Sequence, residues 1–167
     1  MVPRVVGAAI LVQILLAILS PGTLPAVASM LVPMMVVLGS ATDFESYAGD
    51  LSKRGVRAMA PASIVGRSGV KHDFAFAVTE DSGKTKVVVD TELSVKEVDE
   101  MKVLKFYVKV YDVGPENAIL CVSPKLSPRA ATLAHEYGLS VLEEEVPRKL
   151  IQRAADAVDG MTDRAEK

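Results

Sequence analysis

The sequence predicts an α/β domain: a mixed β-sheet flanked by helices, in the order α-β-β-β-α-β-α-β-α, preceded by two hydrophobic helices. Three observations predict it. From Val2 to Ser40 the only charged residue is Arg4, whereas Lys, Arg, Asp and Glu appear throughout the rest, so the composition breaks near Ser40. Beyond the break, stretches with helical spacing of apolar residues alternate with stretches of strand character. Among the latter, KVVVDTEL (86–93) carries three consecutive valines, which suits a central strand covered on both faces.

The totals bound the answer. A chain of 167 residues has room for one domain plus an appendage. The formal charge of −2 gives no general attraction to nucleic acid, so any DNA contact requires a local basic patch. Cys121 is the only cysteine, which excludes an internal disulfide and a cysteine-rich zinc site. It sits in the apolar run AILCVS, where a buried, inert thiol is expected.

Within residues 1–40, VVGAAILVQILLAILS (5–20) and AVASMLVPMMVVLG (26–39) are apolar runs joined by the turn SPGTLP. A bilayer core of about 30 Å needs roughly 20 helical residues, so the two runs read as a transmembrane hairpin. Pro33 is compatible with it, because neighbouring groups in a bundle re-satisfy the backbone. Arg4 before the first run, and Lys53, Arg54 and Arg57 after the second, place both ends in the cytoplasm. The expected location is therefore the cell membrane, with the lipid bilayer as a partner. A secretory signal ending at AVA (26–28) is the competing reading, but cleavage there would expose MLVPMMVVLG at the new N-terminus. A buried helix pair competes too, although soluble helices carry a polar face that these lack.

The soluble part is expected to be a domain over 41–146, followed by an amphipathic helix and tail over 147–167. ATDFESYAGDLSKRG (41–55) fits a helix with Thr42 and Glu45 at capping-box spacing and Gly55 as its stop. VRAMA (56–60) is a short strand, and the basic, glycine-containing IVGRSGVKH (64–72) reads as a loop. DFAFAVTE (73–80) alternates, with Phe74, Phe76 and Val78 expected on one face. DSGK turns the chain into the strand TKVVVDTEL (85–93). Residues 94–114 are expected to form a long helix capped by Ser94 with Glu97, and ended by Gly114-Pro115. AILCVS (118–123) is a buried strand. SPRAATLAHEYG (127–138) is a helix with Ser127 as N-cap and Pro128 at its first position, and LSVLEE (139–144) a last strand.

These residues resemble a known family. Phe44-Glu45, Gly55, the segment GRSGVKHDF (66–74), the strand KVVVDTEL, AILCVS and SPRAATLAHEYGLSVLE (127–143) are together similar to the PD-(D/E)xK nuclease superfamily, and within it to Mrr-like restriction endonuclease domains. The resemblance covers most of residues 42–144 and implies a restriction-endonuclease-like fold. It also implies DNA as partner and Mg²⁺ (or Mn²⁺) as cofactor, because such an ion takes hard oxygen ligands and stabilises the phosphodiester transition state. On that resemblance Glu45 matches the helix acid and Asp73 the strand acid, although Ala75 stands where many relatives have it. Asp90 matches the first member of E-x-K as a shortened acid. Glu92 stands in place of the lysine. Asp73 and Asp90 are the implied metal ligands, and Glu45, Asp73 and Asp90 are expected to converge. Glu92 is expected beside Asp90 but turned to the opposite sheet face. A substitute lysine is Lys96, since Lys86 lies four residues (~13 Å) from Asp90.

Two functional readings follow. One is a membrane-anchored nuclease-fold protein that binds or cleaves DNA, either as an active metal-dependent endodeoxyribonuclease or as a degenerate member. The other is a membrane-tethered scaffold for a second copy of itself or another protein. His72 and His135 are the only histidines, each read as a structural or surface residue, and GRSG (66–69) lacks the Lys-Ser/Thr ending of a P-loop. A transporter or membrane protease is disfavoured, because the apolar runs offer no ionisable group beyond Arg4.

Overall fold

A computed structural model describes residues 43–162. The elements run α1 (43–53), β1 (Arg57–Met59), β2 (Ala62–Val65), β3 (Lys71–Phe74), β4 (Phe76–Thr79), β5 (Thr85–Leu93), α2 (Glu100–Val113), β6 (Asn117–Ser123), α3 (Pro128–Glu136), β7 (Ser140–Glu143) and α4 (Pro147–Thr162). Five strands form one sheet in the order β1-β4-β5-β6-β7. The β1-β4-β5 side is an antiparallel meander, while β5, β6 and β7 run parallel, so the sheet is mixed, and α2 and α3 provide the crossovers that parallel pairing requires.

The valine run lies at the middle of this sheet. Val87 and Val89 turn to one face and Val88 to the other, as the two-residue strand period dictates. The first face packs against Phe44, Ala48 and Leu51 of α1 and Leu150, Ile151, Ala154 and Val158 of α4. The second packs against Val103 and Phe106 of α2 and Ala130 and Ala134 of α3. All three valines are fully buried, each worth about 2 kcal/mol of transfer free energy. Ile119 and Cys121 on β6 are buried beside them. Desolvation pushes the Cys121 thiol up to about 12, which fits the expected inert cysteine.

Three expectations are corrected. Of the expected loop 64–72 only residues 66–70 form a turn; Ile64, Val65, Lys71 and His72 belong to the antiparallel hairpin β2–β3, a separate two-stranded sheet. The expected strand 73–80 breaks at a bend on Ala75. Phe74 therefore enters the α2-side core while Phe76 and Val78 enter the α1-side core, because the bend interrupts the alternation that would have aligned all three. The helix expected from Ser94 starts at Glu100. Asp99 is its N-cap, accepting from the Lys102 amide at 3.2 Å. Ser94–Val98 stays out of the helix because tertiary bonds hold it there: Val98 N–H donates to the Lys125 carbonyl and the Val98 carbonyl accepts from Ser127 N–H, both at 2.9 Å. Gly114 does end the helix, in the left-handed region at φ 67°, and Ser127 caps α3 with Pro128 behind it. The expected transmembrane hairpin lies outside the described residues, among which no helix is long and apolar enough to cross a membrane.

Candidate functional site

The acids of the central strand meet the lysines of the helix that follows it. Asp90 and Glu92 are two residues apart on β5 and so share a face with Val88; the expectation that Glu92 turns away is corrected by the strand period itself. That face looks toward α2. Lys102 and Lys109 are seven residues apart on α2, two turns along one flank. Lys109 Nζ lies 2.6 Å from Asp90 Oδ2, with each side chain 18% exposed. Lys102 Nζ lies 2.9 Å from Glu92 Oε2 in a wetter setting. The hydrogen bond to Glu92, and then its charge, raise the Lys102 ammonium above its ordinary value.

Lys109 does more than neutralise Asp90. Its ammonium also donates to the Asp73 carbonyl at 2.7 Å and sits 5.3 Å above the Phe74 ring, a cation–π arrangement. One cation from α2 thus ties the end of β3 to the central strand. The Asp90 Oδ1 accepts from the Thr91 amide at 3.0 Å, so both carboxylate oxygens are engaged.

The other candidate residues sit as follows. Asp73 reaches the site through its backbone, while its carboxylate accepts from the hydroxyl of Ser63, its register partner on β2. Glu45 is exposed on α1, the helix packed on the opposite face of the sheet, and no hydrogen bond or ion pair joins it to Asp73, Asp90 or Glu92. Lys96 is exposed ahead of α2, its amide bonded to the Ser94 hydroxyl. The lysine against Asp90 is Lys109, not the expected Lys96. A signal was present: Lys102 and Lys109 repeat at seven residues on the helix that crosses back over the acids. Among the described residues no group of three or more His, Cys, Asp or Glu is arranged to hold a metal ion. Mg²⁺ needs several oxygen ligands in near-octahedral array, and as arranged this acid–lysine set does not supply them.

A second polar cluster secures the neighbouring hairpin. Asp112, one turn beyond Lys109, accepts from the Ser68 amide (2.8 Å) and hydroxyl (2.6 Å) and pairs with His72 Nε2 at 2.7 Å. The Ser68 hydroxyl, then His72, then the Ser68 amide hold the Asp112 carboxyl down to about 2. Arg67 donates from its backbone to the Asp112 carbonyl at 2.9 Å and from its guanidinium to the Tyr111 and Asp112 carbonyls, placing positive charge at the C-terminal end of α2, where the helix dipole favours it. Ser68 and His72 both bond the same carboxylate rather than each other, so this is not a nucleophile–base relay. A cavity of about 350 Å³ opens at the other end of β5, around Arg57, Glu80, Asp81 and Lys86. Its cations are matched to acids, as in Arg57–Asp81 at 3.1 Å and Lys86–Glu80 at 3.6 Å, and it is remote from Asp90.

No family model matches the sequence, and no curated protein matches it. Solved structures similar to this chain include a protein of unknown function, AF1548, at 15% identity over 67% of this chain and 65% of that one, with a TM-score of 0.48. They also include EndoMS in complex with double-stranded DNA, at 22% identity over 51% and 36%, TM-score 0.36. A repair endonuclease from Pyrococcus abyssi is similar at 21% identity over 53% and 40%, TM-score 0.34. The chain spans less than two thirds of the length of each. The strand order of this chain, rather than these likenesses, defines its fold.

Proposed function

We propose that this is a nuclease-fold domain that binds DNA without hydrolysing it, held at the cytoplasmic face of a membrane by residues 1–40. The observation that carries the reading is the direct Asp90–Lys109 pair at 2.6 Å. Asp90 stands where the resemblance to PD-(D/E)xK nucleases puts the first acid of E-x-K, and an ammonium of the same chain already neutralises it. Lys109 then serves as a fixed counter-ion and strut, because moving it away would break its bond to the Asp73 carbonyl as well. Exposed cations on the same side, Lys105 and Arg67, have no carboxylate ion-pair partner among the described residues and suit phosphate contacts.

A second reading has its own observation. The lysine missing from position 92 is supplied at Asp90 from α2, so the site holds the acid and the cation of a nuclease in new positions. On that reading the domain cleaves DNA.

The deciding experiment incubates the full chain in detergent with plasmid, linear and single-stranded DNA, in EDTA, Mg²⁺ or Mn²⁺. Binding without cleavage in every condition supports the first reading. Metal-dependent cleavage abolished by both Asp90→Ala and Lys109→Ala establishes the second. Neither binding nor cleavage leaves the protein-scaffold reading. Reporter fusions at each end test the membrane placement, and an extracytoplasmic signal from the C-terminal fusion would overturn it.

A further inference from the structure

The side of α2 turned away from the core is apolar and aromatic where a solvated face is expected. Met101, Val108 and Tyr111 are exposed, Tyr111 at 66%, and with Leu104 they follow one another at intervals of three, four and three residues, so they form one stripe. Tyrosine rings extend the stripe sideways. Tyr107 stacks on Tyr137 of the α3 C-cap at 4.2 Å between centroids and lies 6.1 Å from Tyr111. The Arg67 guanidinium stands 5.3 Å from the centre of the Tyr111 ring. Lys105, exposed, is one turn from both Met101 and Val108.

We infer that this stripe is a stacking platform for single-stranded nucleic acid, an inference that rests on the DNA-binding reading above and names its substrate class. Unpaired bases present apolar faces, which stack on aromatic rings and guanidinium planes whatever their sequence, while scattered cations follow the phosphates. The stripe offers these two kinds of group side by side. A duplex hides its base faces and presents phosphate rails, which need many cations; this face offers Arg67 and Lys105, on a chain of net charge −2. A second copy of the chain fits less well. Antiparallel pairing through the stripe would bring the exposed Lys105 of each copy to the same side of the seam, like charge against like.

The test measures binding of fluorescent oligothymidine and of a duplex of equal length to the full chain in detergent. Oligothymidine is expected to bind more tightly, with log K falling against log salt at a slope of about −1.4 for two phosphate contacts on a single strand. Tyr111→Ala is expected to weaken that binding about tenfold or more, the loss of one stacked base, with Tyr111→Phe retaining it and Lys105→Gln reducing the salt slope. The Tyr111 side chain is mostly solvent-exposed, and an unchanged melting temperature for Tyr111→Ala separates lost stacking from lost folding. Preference for duplex, or equal binding by Tyr111→Ala and wild type, overturns the platform while leaving DNA binding in place. No binding of either DNA overturns both. Loss of a dimer, rather than of DNA, on Tyr111→Ala assigns the stripe to a second copy and overturns the inference.

Discussion

Gly66 leaves no room for a side chain against Asp112: a Cβ at position 66 would fall on the Oδ2 and Cγ atoms of that carboxylate. The tip of the β2–β3 hairpin is therefore clasped to the end of α2 only while residue 66 is glycine. Gly66→Ala is expected to push Asp112 off Ser68 and His72 and to destabilise the domain by about 1–3 kcal/mol, the usual cost of overpacking. Urea denaturation measures it. Amide exchange in 66–72 should accelerate in the variant while exchange in β5 and β6 tracks global stability.

The same clasp gives the fold an acid dependence. The Asp112 carboxyl is held at about 2 in the folded protein, against 3.8 for an unperturbed aspartate. A depressed folded value means that the clasp's contribution is complete above the unfolded value and is lost as pH falls through the range from about 4 to 2. Asp112→Asn should remove that share of the pH slope in denaturation curves taken across this range. A variant with an unaltered slope would show that Asp112 is not held by Ser68 and His72 in solution.

Lys109 and Lys102 should differ sharply on removal. Lys109→Met leaves the shielded Asp90 carboxylate without its cation and is expected to cost about 3 kcal/mol. The double variant Asp90→Leu/Lys109→Met should recover most of the loss, since neither charge is then stranded. Lys102 is half exposed, and Lys102→Met should cost less than about 1 kcal/mol. A double-mutant cycle on each pair measures both values.

Cys121 should be silent toward thiol reagents in the native full chain. It is fully buried and its thiol is pushed up to about 12 by desolvation, so the reactive thiolate is scarce at pH 8. Labelling should appear only in denaturant, with the midpoint of global unfolding. Rapid native labelling would mean that β6 does not lie where the sheet places it.

The elements with local signals were legible in the sequence. The run Thr85–Leu93 is a central strand because no polar residue interrupts Val87, Val88 and Val89, and α3 starts where Ser127-Pro128 says it must, because a cap and a fixed proline φ act within one turn. The shared face of Asp90 and Glu92 needed only the two-residue strand period, and was legible though misassigned. Other features depended on contacts between distant residues. The start of α2 moved from Ser94 to Asp99 because Val98 is tied to Lys125 and Ser127, and local capping at Ser94 does not outweigh those bonds. The break at Ala75 sends Phe74 and Phe76 to different cores, a choice made by two packing surfaces rather than by alternation. Whether Asp90 meets Lys96, Lys102 or Lys109 was decided by how α2 crosses back over β5: all three lysines carry the same charge, and only the docking of Val103 and Phe106 into the sheet sets which of them reaches the acid.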